Sequence, residues 1–145
     1  MTVKKILAAD GPAANLLIRL MAGGVFFLEG IKKFLFPEQW GAGRFTHIGI
    51  PAPNALAPFV GVVEIACGLL LLLGLLTRLA SVPLIIDICV AITTTKLPIL
   101  LRAGFWPMEA EARTDYSMLL GLLFLLIAGP GPLSIDARLQ TRAQG

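Results

Sequence analysis

Residues 68–78 read GLLLLLGLLTR, an almost unbroken leucine run that ends in two polar residues. This run is the least ambiguous membrane-spanning segment of the chain, because it offers no polar face to water. Thr77 and Arg78 leave room only for a tight turn before the next apolar segment begins at Leu79. The pattern therefore predicts two neighbouring antiparallel helices inside a membrane.

The composition of the whole chain supports this class. The 145 residues are 57% hydrophobic and 14% charged, with a mean hydropathy of +0.84. A soluble domain of this size is about 45–50% apolar and about 25% charged. We therefore predict an integral membrane protein of one domain, residues 1–145, and exclude the soluble enzyme classes. Two cysteines are too few for a disulfide-rich scaffold. The longest run of basic residues is two, which gives no indication of nucleic-acid binding.

The pattern of apolar segments predicts how often the chain crosses the bilayer. A spanning helix needs roughly 20 mostly apolar residues, and Pro37 and the GPGP run at 129–132 give clear stops. The predicted fold is all-α, a four-helix antiparallel transmembrane bundle with a short amphipathic C-terminal helix capped by Ser134. The predicted helices cover residues 14–36, 54–76, 79–97, 115–128 and 134–142.

The orientation of the bundle is less strongly encoded. Four crossings place both termini on one side, and the basic residues divide almost equally between the two sides. We predict a multi-pass protein with cytoplasmic termini. Lys4 and Lys5 precede an apolar stretch as in a signal peptide, but Arg19 and Glu29 interrupt that stretch, so we expect the first helix to be retained.

Two long connections, 37–53 and 98–114, lie on the face opposite the termini. Both carry tryptophan, phenylalanine and charged residues. Interfacial aromatic residues are expected at any bilayer surface. The alternative is that these connections form a lid over a site that opens to this side.

Charged residues inside the predicted helices are the main functional signal. Charges in a bilayer face the bundle interior and have partners, because a charge at mid-bilayer costs about 2.5–3.5 kcal/mol even on insertion scales. Glu29 lies about 10 Å below the loop side, and Glu64 and Asp87 lie about 15 Å below it. Lys33 follows Glu29 at the i,i+4 spacing that favours an ion pair, and Arg19 lies deeper. Such a set is either a structural network or a ligand, proton or quinone site.

Small residues accompany these charges. On the second predicted helix, Glu64 lies on one stripe with Gly61 and Gly68, which permits close approach of a neighbouring helix. On the first, the shared face carries Arg19, Gly23, Phe26, Gly30 and Lys33. The polar residues are therefore expected to point into the bundle.

Several sequence fragments, taken in order, resemble one family. They are Arg19, EGIKKF at 29–34, GIPAP at 49–53, GVVE at 61–64, GLLLLLGLLTR at 68–78 and GPGPLSID at 129–136. Together they resemble the DoxX family of small four-helix bacterial membrane proteins, over roughly residues 16–137. Relatives include the small subunit of thiosulfate:quinone oxidoreductase. The resemblance implies a bacterial inner-membrane location and a quinone-linked redox role.

The chemistry that these residues could support is restricted. Cys67 and Cys89 lie on different predicted helices and are expected to be packing residues, and a single histidine excludes bis-His haem ligation. The chain has no metal, flavin or nicotinamide motif, so electrons would come from the substrate or from a partner subunit. A quinone site needs an apolar slot, aromatic walls and proton-exchanging groups. We predict Glu64 and Glu29 as catalytic residues, and as binding residues Arg19, Lys33, Asp87, Trp40, Phe26 and His47.

Three functions remain open from the sequence. The first is the membrane subunit of a quinone-linked oxidoreductase, with the bilayer, a quinone and a soluble redox subunit as partners. The second is a carrier for a small anion or sulfur compound, with Arg19 and Lys33 along its path. The third is a non-catalytic anchor that recruits soluble redox proteins through its loops. Assembly into a homo-oligomer is open in each case.

Overall fold

A computed structural model describes residues 11–142 of the chain. Lys4, Lys5 and both ends of the predicted domain lie outside this range. Within it the structure is helical and contains no strands. The long helices are α1 (Asn15–Leu35), α4 (Pro53–Leu73), α5 (Thr77–Ala91) and α7 (Phe105–Ala128), and the shorter elements are α2 (Pro37–Trp40), α3 (Ala42–His47), a π-helical segment (Ile92–Lys96), α6 (Leu97–Ala103) and α8 (Ile135–Arg142).

The four long helices pack around a common apolar core. The most extensive contact joins α1 to α4, and α5 packs mainly on α7 and α4. Fully buried side chains from all four helices meet in the core: Ala22, Phe26, Leu71, Leu84, Leu122 and Leu125. This arrangement leaves the remaining helix faces on the outside.

Two of the helical runs have the length and composition of membrane-spanning helices. They are Pro53–Leu73, with a mean hydropathy of 2.4, and the continuous run Thr77–Ala103, with a mean hydropathy of 2.0. Only 28% and 17% of their most apolar windows are buried within the protein. A core helix of a soluble protein would be mostly buried, so these exposed apolar surfaces are suited to lipid.

The prediction of a second long connection, at residues 98–114, is wrong. The third helical run continues through the π-helical segment to Ala103, and α7 begins at Phe105, ten residues before the predicted start at Asp115. Gly104, with φ of +91°, provides the only break between them. Pro107 lies in the first turn of α7, where a missing N–H costs no hydrogen bond. Pro98 directly follows the π-helical segment, where the helix changes its hydrogen-bond register and continues. This part of the chain is therefore helical and not a long irregular connection.

Glycines set the distance between α1 and α4, as the sequence stripes predicted. A Cβ atom at Gly68 would lie 2.7 Å from the backbone nitrogen of Phe27, and one at Gly30 would lie 2.7 Å from the carbonyl oxygen of Gly61. Both distances are too short for a real contact, so the two backbones approach as closely as glycine allows. This approach brings Lys33 of α1 within reach of Glu64 on α4.

We expect Gly68→Ala to lower the free energy of unfolding by about 1–3 kcal/mol, the usual cost of overpacking. The matched control is Gly24→Ala, because a Cβ at Gly24 meets nothing within 4 Å. The control should be neutral or stabilise by up to about 1 kcal/mol through helix propensity. Denaturant unfolding of the two variants in detergent measures the difference. Equal stability of the two variants would contradict the close packing of α1 on α4.

The C-terminal segment is tied to the turn between α4 and α5. The Asp136 carboxylate accepts hydrogen bonds from the backbone N–H groups of Leu76 (2.8 Å) and Thr77 (3.1 Å), and so caps the start of α5. Burial raises the pKa of the Asp136 carboxyl, and these two donors and Arg19 partly offset that effect. The Ser134 hydroxyl accepts a hydrogen bond from the N–H of Ala137, which confirms the predicted cap of α8.

Candidate functional site

A cavity of about 320 Å³ lies between the long helices near the loop side of the protein. Its apolar walls come mainly from α3, α4 and the segment between them, and include Phe45, Ile48, Leu56 and Phe59. Residues of the first connection thus form part of the cavity wall. The charged side chains that line the cavity come from every long helix: Lys33, Glu64, Asp87, Lys96 and Asp115, together with Arg44 from α3.

The first charged group in the cavity is an ion pair between α1 and α4. The Lys33 Nζ lies 2.6 Å from the Glu64 Oε2, and the side chains are only 11% and 5% exposed. An ion pair so well shielded from water is costly to break, because either charge left alone would remain buried. The pair therefore fixes both side chains at the cavity wall.

Asp87 adds a second carboxyl group to this ion pair. Its side chain, on α5, lines the same cavity and lies near the Glu64 carboxyl and the Lys33 ammonium group. Two carboxylates and one ammonium group carry a net charge of −1, and a single bound proton neutralises the cluster. The three residues, which we call the Lys33 cluster, are therefore able to hold and release a proton.

A second ion pair, between the π-helical segment and α7, lines the same cavity. The Lys96 Nζ lies 3.2 Å from the Asp115 Oδ2, and the side chains are 10% and 20% exposed. That Asp115 oxygen is buried and has no hydrogen-bond partner. The charge of Lys96 is therefore the interaction that holds this buried oxygen at the cavity wall.

The π-helical segment accounts for the position of Lys96. The hydroxyls of Thr94 and Thr95 donate hydrogen bonds to the carbonyls of Val90 and Ala91, one turn back. A π-helical turn contains an extra residue, which changes the direction of the side chains that follow it, and such turns often occur at functional sites. Lys96 is buried here although it lies near the predicted end of a span.

Sequence reasoning missed the Lys96–Asp115 pair for two reasons. Lys96 lies at the end of the predicted helix 79–97, where charges that flank a membrane are common, and Asp115 lies at the start of the predicted helix 115–128 instead of in the middle of α7. The run of three threonines before Lys96 was the available signal, since threonine hydroxyls that bond to preceding carbonyls distort helices.

The structure brings together three of the predicted site residues, Lys33, Glu64 and Asp87. The predicted pairing of Glu29 with Lys33 is wrong. Glu29 instead forms a 2.5 Å ion pair with Lys32, its side chain is 37% exposed, and it does not line the cavity. Lys33 lies on the face of α1 that meets α4, whereas Glu29 and Lys32 lie on its outer side.

The structure places Arg19 at the opposite end of the bundle from the cavity. Its guanidinium donates hydrogen bonds to the carbonyls of Leu71 (2.9 Å), Leu72 (2.8 Å), Leu133 (2.6 Å) and Pro130 (3.3 Å). The side chain is almost fully buried. Arg19 thus joins the end of α4 to the segment before α8, a role that single-helix periodicity could not reveal.

The predicted binding residues Phe26, Trp40 and His47 do not line the cavity. Phe26 belongs to the apolar core. The Lys32 Nζ and the Arg44 guanidinium lie over the Trp40 ring, 4.5 Å and 5.3 Å from its centroid. His47 lines a separate polar pocket of about 670 Å³, which shares Arg44, Ile48, Thr94 and Thr95 with the cavity. We call this pocket the vestibule. Cys67 and Cys89 have free thiols and line neither space.

A model of the DoxX family matches residues 14–97, more than half of the chain. The chain belongs to the DoxX family. The matched range contains α1, α4 and α5, which carry the Lys33 cluster, and it ends just after Lys96. Asp115 and α7 lie beyond it.

Two similar proteins extend this assignment. The chain is 55% identical over 145 residues to "Uncharacterized membrane protein Rv3486" of Mycobacterium tuberculosis, covering 96% of this chain and 89% of that protein. It is 31% identical over 123 residues to "Putative oxidoreductase CatD" of Bacillus subtilis, covering 84% of each. No solved structure matches the chain. The chain is therefore a membrane protein of the DoxX family, and the relative with 55% identity is a bacterial membrane protein.

Proposed function

We propose that this DoxX protein is the membrane subunit of a quinone-linked oxidoreductase system and that the cavity is its ligand site. The observation that carries the proposal is the Lys33 cluster at the wall of an apolar cavity of ligand size. The relative named as an oxidoreductase supports the same class of function. Both termini would lie in the cytoplasm and the membrane would be the bacterial inner membrane.

The proposal includes four membrane crossings. At about 1.5 Å per residue, α1 with 21 residues and α7 with 24 are long enough to cross the hydrocarbon core, although they carry more charge than α4 and α5. Their most buried charges, Arg19, Lys33 and Asp115, have partners or face the cavity. Charges arranged in this way are tolerated inside a membrane protein.

The cavity supplies what a quinone requires. Lys33 and Lys96 can donate hydrogen bonds to ring oxygens, and Glu64, Asp87 and Asp115 can exchange protons. Reduction of a quinone to a quinol takes up two electrons and two protons. The cavity residues would supply the protons, which are replaced from the aqueous side through the vestibule. The electrons would come from a soluble redox partner of this subunit.

The carrier alternative is weaker on geometric grounds. It depended on Arg19 and Lys33 as cations along one path, yet Arg19 is fully engaged by carbonyl oxygens. Lys33 is engaged by Glu64. No positively charged path therefore connects the two ends through these residues.

Mass spectrometry of lipophilic molecules that copurify with the protein tests the proposal. We expect a quinone in the wild-type preparation and its loss, by about tenfold or more, from Glu64→Gln. The comparison variant is Glu29→Gln, which removes the same charge from an exposed pair outside the cavity and should retain the quinone. Folded wild-type protein without quinone, even after incubation with it, would refute the proposal and leave the anchor function. Equal loss from both variants would contradict the assignment to the cavity.

A further inference from the structure

An apolar groove of about 290 Å³ runs along the outside of the protein between α4 and α5. The groove joins the cavity from the side, since both are lined by Phe59, Val60, Asp87 and Val90. Val63, Pro83 and Ile86 line the groove but not the cavity. Asp87 is its single charged residue and lies where the groove meets the Lys33 cluster.

The groove opens on an exposed apolar surface of α4 and α5. Phe59 and Ile86 are 64% and 59% exposed, and they belong to the two helical runs with the composition of membrane spans. The vestibule on the loop side is by contrast lined by charged residues, among them Glu38, Arg44 and Arg102. The cavity therefore has two openings of opposite polarity, one towards the hydrocarbon and one towards the polar loops.

We propose that the groove is the lateral entry for a lipid-soluble ligand and binds its alkyl or isoprenoid tail while the polar ring occupies the cavity. This inference rests on the proposed function and specifies its ligand as a quinone with a tail. A molecule dissolved in the bilayer would reach the Lys33 cluster through the groove without crossing water. Contact of the tail with the groove would add binding free energy in proportion to the apolar area buried.

The test compares two quinones that differ only in the tail. A benzoquinone with a decyl chain and the same ring without it are titrated against the purified, detergent-solubilised protein. Val63→Trp and Ile86→Trp fill the groove from α4 and from α5. Val62→Trp is the matched control, because Val62 neighbours Val63, is exposed, and lies outside both groove and cavity.

We expect both groove variants to bind the decyl quinone at least about tenfold more weakly than wild type, an effect equivalent to about two buried methylene groups. Their affinity for the tail-less ring should stay within about twofold of wild type, which also shows that the variants are folded. Val62→Trp should match wild type with both compounds. Detergent affects each variant alike, so the ratios between variants are the informative quantity.

Three outcomes would overturn the inference in different ways. If the groove variants bind the decyl quinone as wild type does, the tail lies elsewhere, and the proposed function survives. If wild type binds neither quinone, the proposed function fails and this inference fails with it. If the groove variants lose the tail-less ring as strongly as the decyl quinone, the groove has no tail-specific role.

Discussion

Lys33→Met is expected to destabilise the protein by about 3–5 kcal/mol, the cost of leaving a buried carboxylate without its counter-charge. In this variant Glu64 keeps its shielded position at the cavity wall, 5% exposed, and Asp87 remains beside it. The measurement is the free energy of unfolding in detergent. The matched control is Lys32→Met, in which a partly exposed pair with Glu29 and a contact with the Trp40 ring are lost, and about 1 kcal/mol is expected.

A double variant separates the ion pair from the loss of lysine itself. In Lys33→Met/Glu64→Gln one acid and one base are removed together, so the remaining carboxyl of Asp87 needs only one proton to be neutral. We expect the double variant to recover most of the stability lost in the single one. If the two effects simply add, the ion pair does not couple α1 to α4. If Lys32→Met lowers the free energy of unfolding as much as Lys33→Met does, burial of the Lys33 ion pair does not explain the loss of stability.

Arg19→Gln is expected to cost about 4 kcal/mol or more, because it removes the hydrogen bonds that satisfy buried carbonyl oxygens at the end of α4 and before α8. Arg78→Gln is the control, since Arg78 donates one bond, to the carbonyl of Leu126 at 3.2 Å. That variant should lose about 1 kcal/mol. Thermal unfolding of both variants in the same detergent gives the comparison.

Ligand binding distinguishes a structural role of Arg19 from the binding role that its sequence position first suggested. In the structure its guanidinium is engaged by carbonyl groups far from the cavity. The fraction of Arg19→Gln that remains folded should therefore bind a tail-less quinone as wild type does. Weaker binding at unchanged stability would show that Arg19 acts on the ligand and would contradict the carbonyl network.

The sequence predicted well those properties that repeat along a single helix. Gly61, Glu64 and Gly68 share a face because residues three or four apart do so on any α-helix, and the structure places that face against α1. The leucine run of α4 likewise specified an apolar helix that needs lipid. Helix ends were less predictable, because Pro98 and Pro107 look like breaks in a sequence. Pro107 is harmless in the first turn of α7, and the helix continues past Pro98 after a π-helical segment.

Partner choice was decided by the tertiary structure. Periodicity leaves Lys33 free to pair with Glu29 on its own helix, and only the rotation and height of α4 relative to α1 give it Glu64 instead. Lys96 meets Asp115 because a π-helical turn redirects it and because α7 begins ten residues earlier than its apolar run suggests. Single-helix geometry fixes which residues share a face, whereas an ion pair between helices depends on how separate helices pack, and that information is spread over the whole core.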